Sequence, residues 1–268
     1  MHVEESGSGD PPIVFVHGFA CASSDWQGVA ALLTSRQRVI TCDLPAHGRS
    51  AGGLADCSIE AFARAVAGML ADLDLPPVIL VGHSMGCRVV LECTHEAPER
   101  IAGVVLVDGS CVRSDDPTAT GPGVVEQIQT VGYEVFTRRF FEATFVETSD
   151  PELKASITER ALQLPADFGT ALFTSIAAWD TSSMDAALAA VRVPLLAIQS
   201  TTLSPESVRV SLAPGESSPW LDLVRQLVPT ARVEVVTGVG HFAQIEAADR
   251  VGALIADFAS STATEPQG

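Results

Sequence analysis

The chain has 268 residues, with 16 lysines and arginines against 33 aspartates and glutamates, so its formal net charge is −17 at pH 7. Such an acidic surface repels phosphate backbones and anionic lipid, and we therefore expect neither nucleic acid nor a membrane as a partner. Hydrophobic residues make up 47% of the chain and the mean hydropathy is +0.28, which excludes global disorder. No apolar run approaches the ~20 residues that a membrane span needs.

The N-terminal segment and the cysteines carry little functional signal. Residues 1–9 contain neither a basic stretch nor an apolar stretch, so the sequence predicts no secretory signal. The six cysteines lack the C-x-x-C spacing that is typical of metal and redox sites. We therefore expect reduced thiols, a cytoplasmic location, and neither a metal nor a cofactor.

Short runs of apolar, often β-branched residues recur along the chain and predict strands. They lie at residues 13–16, 38–42, 78–81, 104–107, 195–198 and 233–236. Helices are predicted between them, at residues 24–34, 59–73, 85–95, 220–227 and 247–259. Most of the runs are apolar on both faces, which is typical of parallel strands covered by helices on both sides. The alternation predicts a doubly wound, mostly parallel α/β sheet with its functional site at the carboxyl ends of the strands.

Residues 113–191 interrupt this alternation, because they contain no convincing strand. They predict five helices, at residues 123–131, 134–145, 151–163, 167–179 and 183–191. The sequence therefore predicts a helical cap inserted between two parts of one core, residues 1–112 and 192–268. The cap is rich in large aromatic residues, namely Phe136, Phe140, Phe141, Phe145, Phe168, Phe173 and Trp179.

The pentapeptide Gly82-His83-Ser84-Met85-Gly86 is the motif that carries chemistry. It follows a predicted strand and opens a predicted helix, which is the setting that a G-x-S-x-G nucleophile elbow requires. The strained turn projects the Ser84 hydroxyl clear of the sheet. The helix that begins at Met85 directs its free N–H groups and its positive dipole end at a developing oxyanion.

With this elbow, three further motifs give the chain its resemblance to the α/β-hydrolase superfamily. His17-Gly18-Phe19 resembles the family's H-G oxyanion motif, and residues 43–50 (DLPAHGRS) resemble its D-x-P-G-x-G-x-S turn. Gly240-His241-Phe242 resembles the G-H turn that carries the catalytic histidine. The resemblance covers nearly the whole chain, and it implies that the helical insertion corresponds to the family's cap.

The resemblance also implies a role for each site residue. Ser84 is expected to be the nucleophile, and His241 the base, because it follows the last strand, late in the chain. The backbone N–H groups of Phe19 and Met85 are expected to form the oxyanion hole. We interpret the remaining histidines, His83 of the elbow among them, as structural or solvated.

The acid of the triad departs from the usual pattern. In most of the family it lies shortly after the strand that follows the cap, but residues 199–206 (QSTTLSPE) contain no aspartate. Glu206 is the nearest carboxylate there. Some members carry the acid at the end of the strand before the cap, where this chain has Asp108. We take Asp108 as the acid, with Glu206 as the alternative and a dyad without an acid as a third reading.

Two other departures concern the edges of the molecule. The short N-terminus predicts that the family's first strand is missing, so that the sheet is reduced at one edge. Residues 204–219 are rich in serine, proline and charge and predict a long loop beside the site.

Three classes of function compete for this scaffold. The first is a serine hydrolase that cleaves a small to medium, largely apolar carboxylic ester or lactone, a small-molecule substrate, through an acyl-enzyme. The second is other chemistry on the same fold, such as a carbon–carbon bond hydrolase or a cofactor-free dioxygenase or peroxidase. The third is a non-catalytic small-molecule binding protein. The intact elbow with Ser84 favours the serine hydrolase.

Overall fold

Nine strands and eleven α-helices lie within residues 1–111, 121–204 and 208–263, which a computed structural model of the protein describes. The strands are, in chain order, β1 (His2–Ser6), β2 (Ile13–Val16), β3 (Val39–Asp43), β4 (Val78–His83), β5 (Ile101–Val107), β6 (Leu195–Gln199), β7 (Thr201–Leu203), β8 (Arg209–Ser211) and β9 (Arg232–Val235). The helices are α1 (Gln27–Leu33), α2 (Ile59–Asp72), α3 (Met85–Glu96), α4 (Gly121–Val131), α5 (Tyr133–Glu142), α6 (Pro151–Ala161), α7 (Ala166–Ser182), α8 (Met184–Ala190), α9 (Pro219–Leu227), α10 (Ala243–Glu246) and α11 (Ala248–Thr262).

Seven of the described strands form one sheet in the order β1-β3-β2-β4-β5-β6-β9. Every neighbouring pair in it is parallel except β1 with β3. Parallel strands end at the same edge, so the residues that follow β4, β5, β6 and β9 meet there. The predicted doubly wound, mostly parallel sheet is thereby confirmed.

Strand β1 corrects the expectation that the first strand is missing. It pairs antiparallel with β3 from His2↔Asp43 to Ser6↔Val39. Its side chains are half-buried or exposed, so it has no apolar run by which a sequence pattern identifies a strand. Backbone pairing and surface ion pairs hold this edge strand, including Arg38 with Glu5 at 2.8 Å.

Successive residues of the central strands face opposite layers, and each layer has its own core. In β2, Val14 and Val16 belong to the apolar cluster that includes residues of α2, α3, α8 and α9. Ile13 and Phe15 belong to the cluster on the other face, with residues of α1 and α11. Both faces of the strands are therefore covered by helices, as their double-sided apolar runs predict.

Helices α4 to α8 lie between β5 and β6 and belong to the predicted cap. Among the described residues, ion pairs attach them to the rest of the molecule. Arg88 of α3 donates two hydrogen bonds of 2.6 Å each to Asp180 of α7, and both side chains are buried. Arg160 of α6 pairs with Asp25 at 2.6 and 2.7 Å. Within the described ranges, none of the helices is both long and apolar enough to cross a bilayer.

Strands β7 and β8 correct in part the expectation of a long loop over residues 204–219, because β8 lies within that range. They pair antiparallel from Thr201↔Ser211 to Leu203↔Arg209. Each strand has only three residues, too few for a periodic apolar pattern to predict it from the sequence. The hairpin follows β6 directly, and this brings Arg209 to the carboxyl edge of the sheet.

Candidate active site

Ser84 occupies a strained turn between β4 and α3. Its φ of 54° and ψ of −114° lie outside the regions that non-glycine residues ordinarily adopt. The turn is possible because the residues two positions before and after Ser84 are glycines. A Cβ on Gly82 would lie 2.3 Å from the carbonyl oxygen of Gly86, and one on Gly86 would lie 2.5 Å from that of Val16. The predicted elbow geometry is therefore present.

His241 and Asp108 meet above the sheet, although 133 residues separate them in sequence. His241 Nδ1 donates to Asp108 Oδ2 at 2.6 Å, and both side chains are buried. His83 donates from Nε2 to the backbone carbonyl of His241 at 2.9 Å, and the Ser84 amide donates to the Val107 carbonyl at 3.0 Å. These contacts bring the elbow, the end of β5 and the histidine loop together.

The Asp108 carboxylate accepts hydrogen bonds from the segment in which the usual acid is missing. Its Oδ1 accepts from the amides of Ser200 and Thr201 at 2.8 and 2.9 Å, and it lies 2.9 Å from Ser200 Oγ. Its Oδ2 accepts from Thr201 Oγ1 at 2.7 Å. Sequence reasoning missed these partners, although two hydroxyl residues directly after a strand are a usable signal. The alternative acid, Glu206, lies outside the described residues.

Burial and local charge set the protonation of this pair. Burial alone would raise the pKa of Asp108, but the hydrogen bond and charge of His241, with Arg209 and Thr201, outweigh it and hold that pKa well below its usual range. Burial, followed by the charge of Arg209, lowers the pKa of His241 to about 4 despite the hydrogen bond to Asp108. At neutral pH the site therefore holds an aspartate and a neutral imidazole, the state that a general base requires.

The other histidines near the site hold backbone. His17 Nε2 accepts from the Leu44 amide at 3.0 Å, and its Nδ1 lies 2.8 Å from the Gly18 carbonyl. Burial lowers the pKa of His17 to about 3 and that of His47 to about 4. The neutral imidazole of His17 thereby joins the turn that carries Phe19 to Leu44, whereas His47 donates from Nδ1 to the Pro45 carbonyl within its own turn at 3.0 Å.

The proposed oxyanion donors are the backbone amides of Phe19 and Met85. Met85 is the first residue of α3, and the amide of a first helical residue has no intrahelical acceptor. Throughout the described chain, neither amide has a hydrogen-bond acceptor in the protein. Both residues line the same pocket as Ser84, as a shared oxyanion hole at the nucleophile requires.

This pocket has a volume of about 940 Å³ and lies between the sheet edge and helices α4, α5 and α7. Of the cap aromatics, Phe136, Phe140 and Phe173 line it together with Phe19, whose ring centroid lies 4.1 Å from that of Phe173. The other aromatics of the cap do not line it within the described region. Among the described residues, no group of three or more histidine, cysteine, aspartate or glutamate side chains is arranged to hold a metal ion.

A family model described as "Alpha/beta hydrolase family" matches residues 13–254. The chain belongs to this family. The match extends over the sheet strands from β2 to β9, the helical insertion and the elbow, and it confirms the resemblance that the four motifs indicate.

Solved structures of the alpha/beta hydrolase fold cover nearly the whole chain. A thermophilic esterase from Thermogutta terrifontis superposes with a TM-score of 0.80 at 24% identity, covering 97% of this chain and 93% of its own. An enol-lactonase from Burkholderia xenovorans gives a TM-score of 0.77 at 21% identity, with 96% and 95% covered. At these identities the likeness establishes the fold.

Curated relatives match a shorter stretch. A pimeloyl-[acyl-carrier protein] methyl ester esterase from Methylococcus capsulatus is 38% identical over 110 residues, which are 41% of this chain and 41% of that protein. Uncharacterized mycobacterial proteins, one from Mycobacterium tuberculosis among them, are 37% identical over 110 residues, 41% of this chain and 32% of theirs. The similarity therefore spans less than half the length of these relatives.

Arg209 is the site residue for which the sequence holds no local signal. Its Nη1 lies 2.9 Å from Thr201 Oγ1 and 3.3 Å from Asp108 Oδ2, and its side chain is 12% exposed. It also lines the pocket. Neither Arg209 nor its hairpin belongs to the motifs by which this alpha/beta hydrolase is recognised.

Proposed function

We propose that the protein is a serine hydrolase that cleaves a small to medium, largely apolar carboxylic ester or lactone. The observation that carries this proposal is the hydrogen bond of 2.6 Å between His241 and Asp108, beside an elbow that holds Ser84 in a strained conformation at the pocket. Related proteins that are named as an esterase and as an enol-lactonase support the same class of reaction.

In the proposed mechanism, Asp108 keeps Nδ1 of His241 protonated, which leaves Nε2 to accept a proton. The Ser84 hydroxyl attacks the ester carbonyl and gives its proton to His241. The oxyanion accepts hydrogen bonds from the amides of Phe19 and Met85. Asp108 stabilises the imidazolium without taking the proton itself.

The tetrahedral intermediate then collapses, the bond between the carbonyl carbon and the leaving oxygen breaks, and the alcohol departs with the proton from His241. Water, deprotonated by His241, attacks the acyl-enzyme at the same carbonyl carbon. Release of the carboxylic acid restores the Ser84 hydroxyl. For a lactone, the alcohol and the acid are ends of one product.

The wall of the pocket supports the choice of an apolar substrate. Phe19, Phe136, Phe140 and Phe173 supply aromatic surface from both the sheet side and the insertion. A pocket of about 940 Å³ accommodates a small or medium molecule. Burial of an apolar acyl or alcohol group there contributes roughly 25 cal/mol per Å² of surface removed from water.

We also propose that residues 113–191 act as the cap of a core formed by residues 1–112 and 192–268. The pocket is lined from both parts, and the buried ion pair of Arg88 with Asp180 joins them. The first boundary falls in residues 112–120, outside the described part of the chain. The proposal includes a cytoplasmic location, because all six cysteines are free thiols, and no nucleic acid as partner, because of the charge of −17.

The test is covalent labelling. Wild-type protein, Ser84→Ala and the remote control Ser156→Ala are incubated with a fluorophosphonate probe, and each is assayed on a short-chain nitrophenyl ester. We expect labelling and turnover in wild type and in Ser156→Ala, and neither in Ser84→Ala. Turnover that survives in Ser84→Ala would exclude an acyl-enzyme on Ser84 and favour chemistry that does not use this serine as a nucleophile, as in the dioxygenase-like alternative.

A further inference from the structure

The β7–β8 hairpin brings a cation to the carboxylate that orients the proposed base. Arg209 lies at the start of β8, and its Nη1 lies 3.3 Å from Asp108 Oδ2. The same oxygen accepts the hydrogen bond of 2.6 Å from His241 Nδ1. The guanidinium and the imidazole therefore share one carboxylate oxygen.

This sharing has an electrostatic consequence. Both nitrogens lie within 3.3 Å of one oxygen, so they are within about 6 Å of each other, the range in which like charges strongly disfavour one another. An arginine keeps its charge at any working pH. A proton that His241 accepts therefore places a positive charge near the permanent charge of Arg209. Arg209 also offsets part of the negative charge of Asp108, which would otherwise stabilise the protonated imidazole.

We propose that Arg209 is a positioning residue that weakens the hold of Asp108 on a protonated His241 and so keeps the imidazole available as a base in mildly acidic solution. This inference rests on the proposed function, because it takes His241 as the general base. It assigns the hairpin a role in setting the working pH of the enzyme, a role that none of the recognised motifs supplies.

Other charged and titratable groups face the same corner, and none reproduces the position of Arg209. Arg88 is bound by Asp180 through two hydrogen bonds of 2.6 Å, so its charge is matched locally. Glu246 accepts from the Gly240 amide at 3.1 Å and from Ser149 at 2.6 Å. Burial lowers the pKa of His83 well below its usual value, so that ring is neutral.

The direction of the effect agrees with the geometry. Burial is the largest cause that lowers the pKa of His241 to about 4, and the charge of Arg209 is the next. A neutral side chain at position 209 removes the second cause and leaves the first. The pKa of His241 is then expected to rise toward its ordinary value without reaching it.

The experiment measures kcat/KM of a nitrophenyl ester against pH for wild type, Arg209→Met, Arg209→Lys and Arg225→Met. Methionine keeps the length and apolar stem of arginine and removes the charge, while lysine keeps the charge. Arg225 is an exposed arginine of α9 whose ion pair with Asp222 serves as the matched control. Far-UV circular dichroism at each pH separates loss of the base from unfolding.

We expect the acid limb of the wild-type profile to lie below pH ~6, under the ordinary histidine pKa of about 6.5. In Arg209→Met it should move upward by about one pH unit, and Arg209→Lys should restore at least half of the difference. Arg225→Met should match wild type. A limb that is unchanged in Arg209→Met, even with a lower rate, would mean that Arg209 only anchors the hairpin and would overturn the proposal.

Two readouts keep the inference testable if Arg209→Met does not fold or if no ester is turned over. A wild-type acid limb near pH 6.5 or above overturns the proposal without any variant. The downfield proton resonance of His241 Nδ1–H, followed against pH by NMR, reports protonation of the ring without a substrate. If Ser84 is not labelled but this resonance titrates as expected, the proposed function fails, while the effect of Arg209 on the protonation of His241 stands.

Discussion

Replacing Asp108 with asparagine tests the triad at its most heavily hydrogen-bonded member. The change keeps the shape of the side chain but replaces a charged acceptor oxygen with an NH2 donor. Six contacts from described residues converge on the two oxygens, from Ser200, Thr201, His241 and Arg209. Whichever way the amide is oriented, its NH2 group faces donors, and the preference for the Nδ1–H tautomer of His241 is lost.

Loss of the tautomer and of imidazolium stabilisation predicts a fall in kcat of about 10³- to 10⁴-fold, equivalent to roughly 4–5.5 kcal/mol in the activation free energy. Each buried donor left unpaired also costs about 1–3 kcal/mol of folding stability, so thermal unfolding must show that the variant is folded at the assay temperature. The assay is turnover of a nitrophenyl ester, with Glu206→Gln as the comparison. We expect Glu206→Gln to retain wild-type turnover. If Asp108→Asn keeps more than a tenth of wild-type activity, or if Glu206→Gln loses as much, Asp108 is not the acid.

Two further predictions concern stability. Asp180→Asn leaves the Arg88 charge buried without its partner, and it should lower the free energy of unfolding, measured in urea, by about 3–5 kcal/mol. The control Asp222→Asn breaks an exposed ion pair and should lower that free energy by under about 1 kcal/mol. Equal effects of the two changes would refute the buried attachment of the cap. Folding lowers the pKa values of four buried histidines, so below pH ~6.5 the unfolded chain binds protons that the folded chain excludes. Their contribution to stability is therefore complete above pH ~6.5 and is lost as the pH falls toward 4. The free energy of unfolding should fall by up to about 1.4 kcal/mol per pH unit for each histidine. The four histidines are His17, His47, His83 and His241. Urea unfolding at pH 7.5, 6 and 5 measures this slope, and a flat profile would contradict it.

The central strands and the elbow could be predicted because their signals are local. Apolar residues on both faces of β2, β4 and β5 have one stable arrangement, a parallel sheet covered on both sides. The glycines on either side of Ser84 are required by backbone approaches of 2.3 and 2.5 Å, which any side chain would block. Strand β1 was not predicted, because its residues are half-buried or exposed and show no alternation of apolar and polar residues.

The acid that pairs with His241 could not be decided from the sequence, because the two residues are far apart in the chain. The choice between Asp108 and Glu206 depends on which carboxylate reaches the His241 loop. A hydrogen bond across 133 residues depends on the order of β5, β6 and β9 in the sheet, which no local pattern encodes. In the described part of the chain, the contact is made by Asp108.

The sequence by itself determined the family, the layered α/β architecture, the helical insertion and the nucleophile elbow. Each of these depends on steric or apolar requirements of residues that lie near one another in the sequence. Only the tertiary structure decided that Ser200 and Thr201 donate to Asp108 and that the register of β7 with β8 delivers Arg209 to the same carboxylate. Those contacts join segments about 90 to 100 residues apart, so their energies depend on where the sheet places its strand ends.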